Sequence, residues 1–162
     1  MKIKKFFILS VFFFLSLSAA FADERKKQLD KLFNELKIDN PFLTFEVEQK
    51  IWKIWSTHPK KNKLTLMLLK GSNLVKNDQL NEAVNIFTKV IKLDPNWAEA
   101  WNKRATVLYL LGEFKKSQND INKVLEIEAR HFGALSGQGL VQTALKNYQK
   151  AIDSYIEAHK VH

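Results

Sequence analysis

Apolar residues along most of this chain fall three and four positions apart, the spacing that gathers them on one side of an α-helix. Leu80, Ala83, Val84, Phe87, Val90 and Ile91 follow it within 79–93, and a second helical pattern runs over 64–76. Asn77-Asp78 between them is a short polar turn, so the two stretches predict a helical hairpin. Nearer the start, Leu29, Leu32, Phe33 and Leu36 make one stripe and Asp39-Asn40-Pro41 interrupts it. Val47, Ile51, Ile54 and Trp55 then make another, with Trp52 beside it. Only three Pro and five Gly occur in 162 residues, too few breakers for a fold of many short strands. The expected fold class is all-α.

The first 22 residues obey a different pattern. Met1 to Lys5 is basic, Phe6 to Ala22 is apolar, and the run ends in Ala20-Phe21-Ala22 before a polar restart at Asp23. A short basic segment, an apolar core and small residues at the −3 and −1 positions are the layout of a cleavable secretory signal. Residues 1–22 are therefore expected to be a signal peptide. Its Phe-rich core and Lys-rich start look bacterial, which makes the periplasm the expected destination. The competing reading is an uncleaved inner-membrane anchor, for which the apolar run is at the short limit of a bilayer span.

Internal repetition is the strongest signal. With 64–97, 98–131 and 132–162 aligned without gaps, small residues recur 34 apart at Gly71, Ala105 and Gly139, and again at Ala83, Ser117 and Ala151. Large residues recur at Met67, Trp101 and Leu135, at Leu80, Phe114 and Tyr148, and at Phe87, Ile121 and Tyr155. Val90, Val124 and Ala158 close the set. The small positions let the two helices of a hairpin approach, and the Phe87 column fills the space between a hairpin and its neighbours. Asp94-Pro95 ends one unit and starts the next. One hairpin cannot bury its stripe alone, so the units are expected to stack.

The period, the paired small residues and the segment AVNIFTKVIKLDPNWAEAWNKRATVLYLLGEF resemble tetratricopeptide (TPR) repeats. The resemblance implies an α-solenoid of three TPR hairpins (64–97, 98–131 and 132–162), preceded by a capping helical hairpin over 23–63. Departures from the family pattern are Lys70, Arg104 and Gln138 at a position that is commonly Leu, and Ala129 where the second unit would carry Pro. With IWKIW and RHFGAL included, the chain from residue 23 is similar to small TPR proteins exported by Gram-negative bacteria.

In that family the first helices of the repeats line a concave groove that holds a peptide. Matching positions here are Thr65, Leu68, Ser72, Val75 and Lys76, then Glu99, Asn102, Lys103, Thr106, Tyr109 and Leu110, then Ser136, Gly137, Leu140 and Thr143. Leu68, Val75, Tyr109 and Leu140 would be its apolar floor. Members that clamp the carboxylate terminus of chaperones use paired cations and Asn, where this chain has Leu68, Ser72, Lys103, Gly133 and Gly137. One lysine is not a clamp.

Composition narrows the remaining choices. The chain has no cysteine, which removes disulfides, thiolate sites and an amino-terminal lipid anchor. A net charge of +9 favours anionic partners, although Lys2, Lys4 and Lys5 would leave with a cleaved signal. A peripheral factor on an anionic membrane or polyanion, through Lys60, Lys61, Lys63, Lys115 and Lys116, is therefore the alternative to a polypeptide-binding scaffold. Self-association through Ile152, Tyr155 and Ile156 is a third partner reading, and nucleic acid is not expected. The tryptophans Trp52, Trp55, Trp97 and Trp101 read mainly as core. Asp120 and Glu126 read as a solvated helix face. His159 and His162 lack a third ligand, and no phosphate loop or nucleophile motif is present. No catalytic residue, cofactor or metal is expected, and the chain reads as a binding protein and not an enzyme.

Overall fold

The computed structural model describes residues 23–38 and 40–161. The expected signal peptide, together with Asp39 and His162, lies outside the described residues. Those described form eight α-helices and no strand: α1 over 23–35, α2 Pro41–Ser56, α3 Asn62–Lys76, α4 Leu80–Leu93, α5 Ala98–Leu110, α6 Phe114–Ile127, α7 Phe132–Ala144 and α8 Tyr148–Val161.

The chain divides into two compact units, the first ending at Ile54 and the second beginning at Trp55. In the first, Leu29, Leu32, Phe33 and Leu36 of α1 and its end are buried, as are Val47 and Ile51 of α2. Asn40 starts α2 by accepting hydrogen bonds from the Phe42 and Leu43 amides, with Pro41 at the first helical position where a missing N–H costs nothing. The division falls earlier than the expected 63/64 junction. Its physical reason is Trp55, whose ring stacks on His131 at 4.0 Å and whose carbonyl accepts the Trp97 indole N–H at 2.8 Å.

The second unit is three hairpins, α3–α4, α5–α6 and α7–α8, stacked in order. Each hairpin turns through a residue in the left-handed region at the same repeat position: Asp78 (φ 59°), Gly112 (φ 75°) and Lys146 (φ 62°). The residue after each turn donates back five positions, Gln79 to Leu74, Glu113 to Leu108 and Asn147 to Gln142. These bonds satisfy carbonyls that the ending helix leaves open. Between hairpins, Asp94 and Glu128 are extended and each carboxylate accepts the amide two residues on, from Asn96 and Arg130.

Close approach within a hairpin depends on the small residues. A Cβ on Gly71 would lie 2.4 Å from Cε1 of Phe87, and one on Gly139 would lie 2.4 Å from Cε1 of Tyr155. In the middle hairpin Ser117 instead donates to the Ala105 carbonyl at 2.8 Å. Phe87 and Val90 are fully buried with Leu64, Leu68, Ala83 and Ala100, and Ile121 and Val124 form the next cluster with Ala105, Ala134 and Val141. At the last hairpin no further unit follows among the described residues, and Tyr148, Ile152, Tyr155 and Ile156 are exposed.

Asp120 departs from its expected role on a solvated face. It is buried and takes two hydrogen bonds from Arg104, at 2.7 and 2.8 Å, while Arg104 also reaches Thr88 and lies over the Trp101 ring. Arg104 stands where the family pattern has an apolar residue, and a buried carboxylate sixteen positions on accommodates it. Gln138 also meets a buried residue sixteen on, its side-chain carbonyl accepting from the Ser154 hydroxyl at 3.1 Å.

Gly71→Ala is expected to cost about 1–3 kcal/mol by forcing the Phe87 ring out of place. Gly137→Ala, whose new Cβ would meet only Ile121 Cδ1 at 3.8 Å, should be neutral or stabilise by up to about 1 kcal/mol through helix propensity. Urea unfolding followed by circular dichroism separates the two outcomes.

Candidate binding groove

The first helices α3, α5 and α7 approach one another directly, whereas α4 and α6, beyond their own hairpins, meet the first helix of the following one. A stack built that way curves toward its first helices, so their free faces make the inner, concave surface. On α3 that face carries Thr65, Ser72 and Lys76 at helical spacing, with Leu69 in the same row and 53% exposed. Leu69 was not among the residues expected in the groove, although its place one turn before Ser72 puts it there.

Burial sorts the expected groove residues. Leu68 is a correction: at 2% exposure it belongs to the core with Leu64 and Phe87 and offers no surface to a ligand. Asn102 is buried too, its side-chain amide donating to Glu99 at 3.0 Å. Val75 and Tyr109 are partly buried against the two apolar clusters. Lys76, Thr106, Leu110, Ser136, Leu140 and Thr143 are exposed, and Ser72, Lys103 and Gly137 are partly so.

Between α5 and α7 the concave face opens into a small cleft of about 60 Å³. Thr106 and Tyr109 form one wall and Leu140 the other, and Ile121 and Val141 lie at its floor. Gly133 and Gly137, one turn apart on α7, keep it open by having no side chains to fill it.

Electrostatics at the near end of the groove centre on Glu99, which is 1% exposed. His131 caps α7 by accepting the Ala134 amide at Nδ1, so its proton resides on Nε2, which donates to Glu99 at 3.1 Å. Lys103 Nζ stands 3.1 Å from the other carboxylate oxygen. Burial alone would push the Glu99 carboxyl up, but the His131 hydrogen bond and the Lys103 charge outweigh it and hold it below its ordinary range. His58 repeats the device at the start of the unit. Its Nδ1 accepts the Lys60 and Lys61 amides, and Nε2 donates to Asp94 at 2.8 Å. The two carboxylates lie 36 and 32 residues from their histidines, a distance over which local sequence pattern carries no signal.

A carboxyl held below its unfolded value contributes stability that is complete above that value and is lost as pH falls through the lowered one. Unfolding midpoints measured from about pH 7 down to about pH 3 should therefore fall on acidification, and Glu99→Gln should lower the neutral midpoint while flattening that slope.

Known proteins give this geometry its context. The tetratricopeptide repeat model matches residues 64–96 and 98–131. A TPR repeat-containing protein of Rhizobium etli is 32% identical over 138 residues, covering 80% of this chain and 67% of that protein. Hsp70-Hsp90 organizing protein 1 of Glycine max is 32% identical over 91 residues, which are 56% of this chain and only 16% of that much longer protein. Among solved structures, the TPR2B domain of yeast Sti1 in its complex with pHsp70 superposes with a TM-score of 0.59 at 26% identity, over 60% of this chain and 78% of that one. The matched repeats, the stacked hairpins and the likeness to the Rhizobium protein along most of the chain together establish that it belongs to the tetratricopeptide repeat family.

Proposed function

We propose that this protein is an exported, periplasmic adaptor, a scaffold or assembly factor that holds a stretch of another polypeptide against the concave face of α3, α5 and α7. The observation that carries the reading is the face itself. Leu69, Leu110 and Leu140 are each about half exposed there, beside the open cleft at Tyr109, on a surface built from rigid helices. Apolar groups held in place at a concave surface gain most when a partner removes them from water. The yeast Sti1 domain, similar in fold, is in complex with pHsp70, which supports a polypeptide as the ligand class. Export rests on the sequence of residues 1–22 alone. Among the described residues, no helix is long and apolar enough to cross a membrane.

One observation favours a second reading. Lys60, Lys61 and Lys63 are exposed together ahead of and at the start of α3, and Lys115 and Lys116 are exposed on α6. An anionic membrane surface or polyanion held this way would be released by moderate salt, because exposed charges are screened beyond about 8 Å at physiological ionic strength.

A photo-crosslinking residue at Tyr109 is expected to give a discrete protein adduct in cells, while the same probe at Lys116 on α6 gives none. Adducts from Lys116 alone would sink the groove reading and favour the surface-binding one.

A further inference from the structure

Three hydroxyls on the concave face already donate inside the fold. Ser72 donates to the Leu68 carbonyl, Thr106 to Asn102 and Thr143 to Gly139, at 3.1, 3.0 and 2.8 Å. A hydroxyl has one proton, so these three side chains can offer a ligand only lone pairs. A terminal carboxylate needs several convergent donors, and on α5 the Asn102 amide and the Lys103 ammonium are both turned to the buried Glu99.

Apolar surface, by contrast, is available. Leu69, Leu110 and Leu140 are 53%, 53% and 48% exposed. The α5–α7 cleft beside Leu140 has Ile121 and Val141 as its floor and no side chain on Gly133 or Gly137 to occupy it. The chain's own Trp55 shows what the adjoining N-terminal ends of α5 and α7 accept. Its ring lies flat on His131 and 5.0 Å from Phe132, while its backbone carbonyl takes the indole N–H of Trp97. A bulky flat side chain and a main-chain carbonyl are received there, with no terminal charge.

We infer that the groove reads its partner through an internal segment, setting a bulky apolar side chain into the cleft over Gly133 and Gly137, and not through a C-terminal carboxylate. This rests on the polypeptide-holding reading of the same groove.

The test uses the purified protein and a random library of peptides about 12 residues long, each pool made once with a free carboxylate and once as the terminal amide. Selected peptides should be rich in Leu, Ile, Phe or Trp and should bind equally, within about twofold, in both forms. Gly137→Leu, which fills the cleft, and Leu140→Lys, a surface change that leaves the core intact, should each weaken them by about tenfold or more. Ile152→Ser on α8 should leave binding unchanged. Binding that needs the free carboxylate, or that survives both cleft variants, overturns the inference while keeping a peptide-holding groove. No selection from either form of the library removes the groove reading itself and the inference with it.

Discussion

Phe87 reaches across its hairpin until its ring lies where a side chain on Gly71 would have to be, so the two helices meet at backbone distance. Much else in the second unit follows from that approach. With α3 and α4 so close, Phe87 is fully buried and Leu64, Leu68 and Ala83 close around it. The next first helix then seats Ala100 on the same cluster, and the stack is set. Tyr155 over Gly139 repeats the geometry in the third hairpin, with the difference that its ring remains 41% exposed. A spacing fixed by Gly71, Ala105 and Gly139 therefore determines where the free faces of α3, α5 and α7 come to lie.

The groove inherits its character from how the first helices meet their own interiors. Ser72, Thr106 and Thr143 return their protons to carbonyls four residues back, a bond that a helix always makes available to them. Lys103 is drawn to Glu99, and Glu99 is kept ionised by the same histidine that caps α7. Several polar groups at the concave face thus serve the scaffold, while Leu69, Leu110 and Leu140 meet solvent.

How much of this could be read beforehand follows from the range of each interaction. The hairpins, the turn at Asp78 and the crossing at Gly71 are local or recur at a fixed period, and both signals lie along the chain. Arg104 marked a departure from the pattern, but its explanation sits on the facing helix, where Asp120 resembles any surface carboxylate until its neighbours are known. Leu68 and Leu69 are adjacent and chemically alike. Leu68 falls in the row that packs on Phe87 with Leu64, while Leu69, one position round the helix, is left exposed. The two junction histidines are harder still, since His58 and His131 each complete a bond with a carboxylate more than thirty residues away.

Trp55 adds a connection that a linear array of hairpins would not have. A stack whose units touch only their neighbours can fray from either end, each unit opening at its own cost. Here one residue at the head of the second unit holds the start of α5 through its carbonyl and the start of α7 through its ring. Loss of the last hairpin would uncover the Trp55 ring at the end of α2, so the two ends of the unit are linked. Such a tie couples the opening of the last hairpin to the packing at the head of the unit, a link that nearest-neighbour contacts alone would not supply.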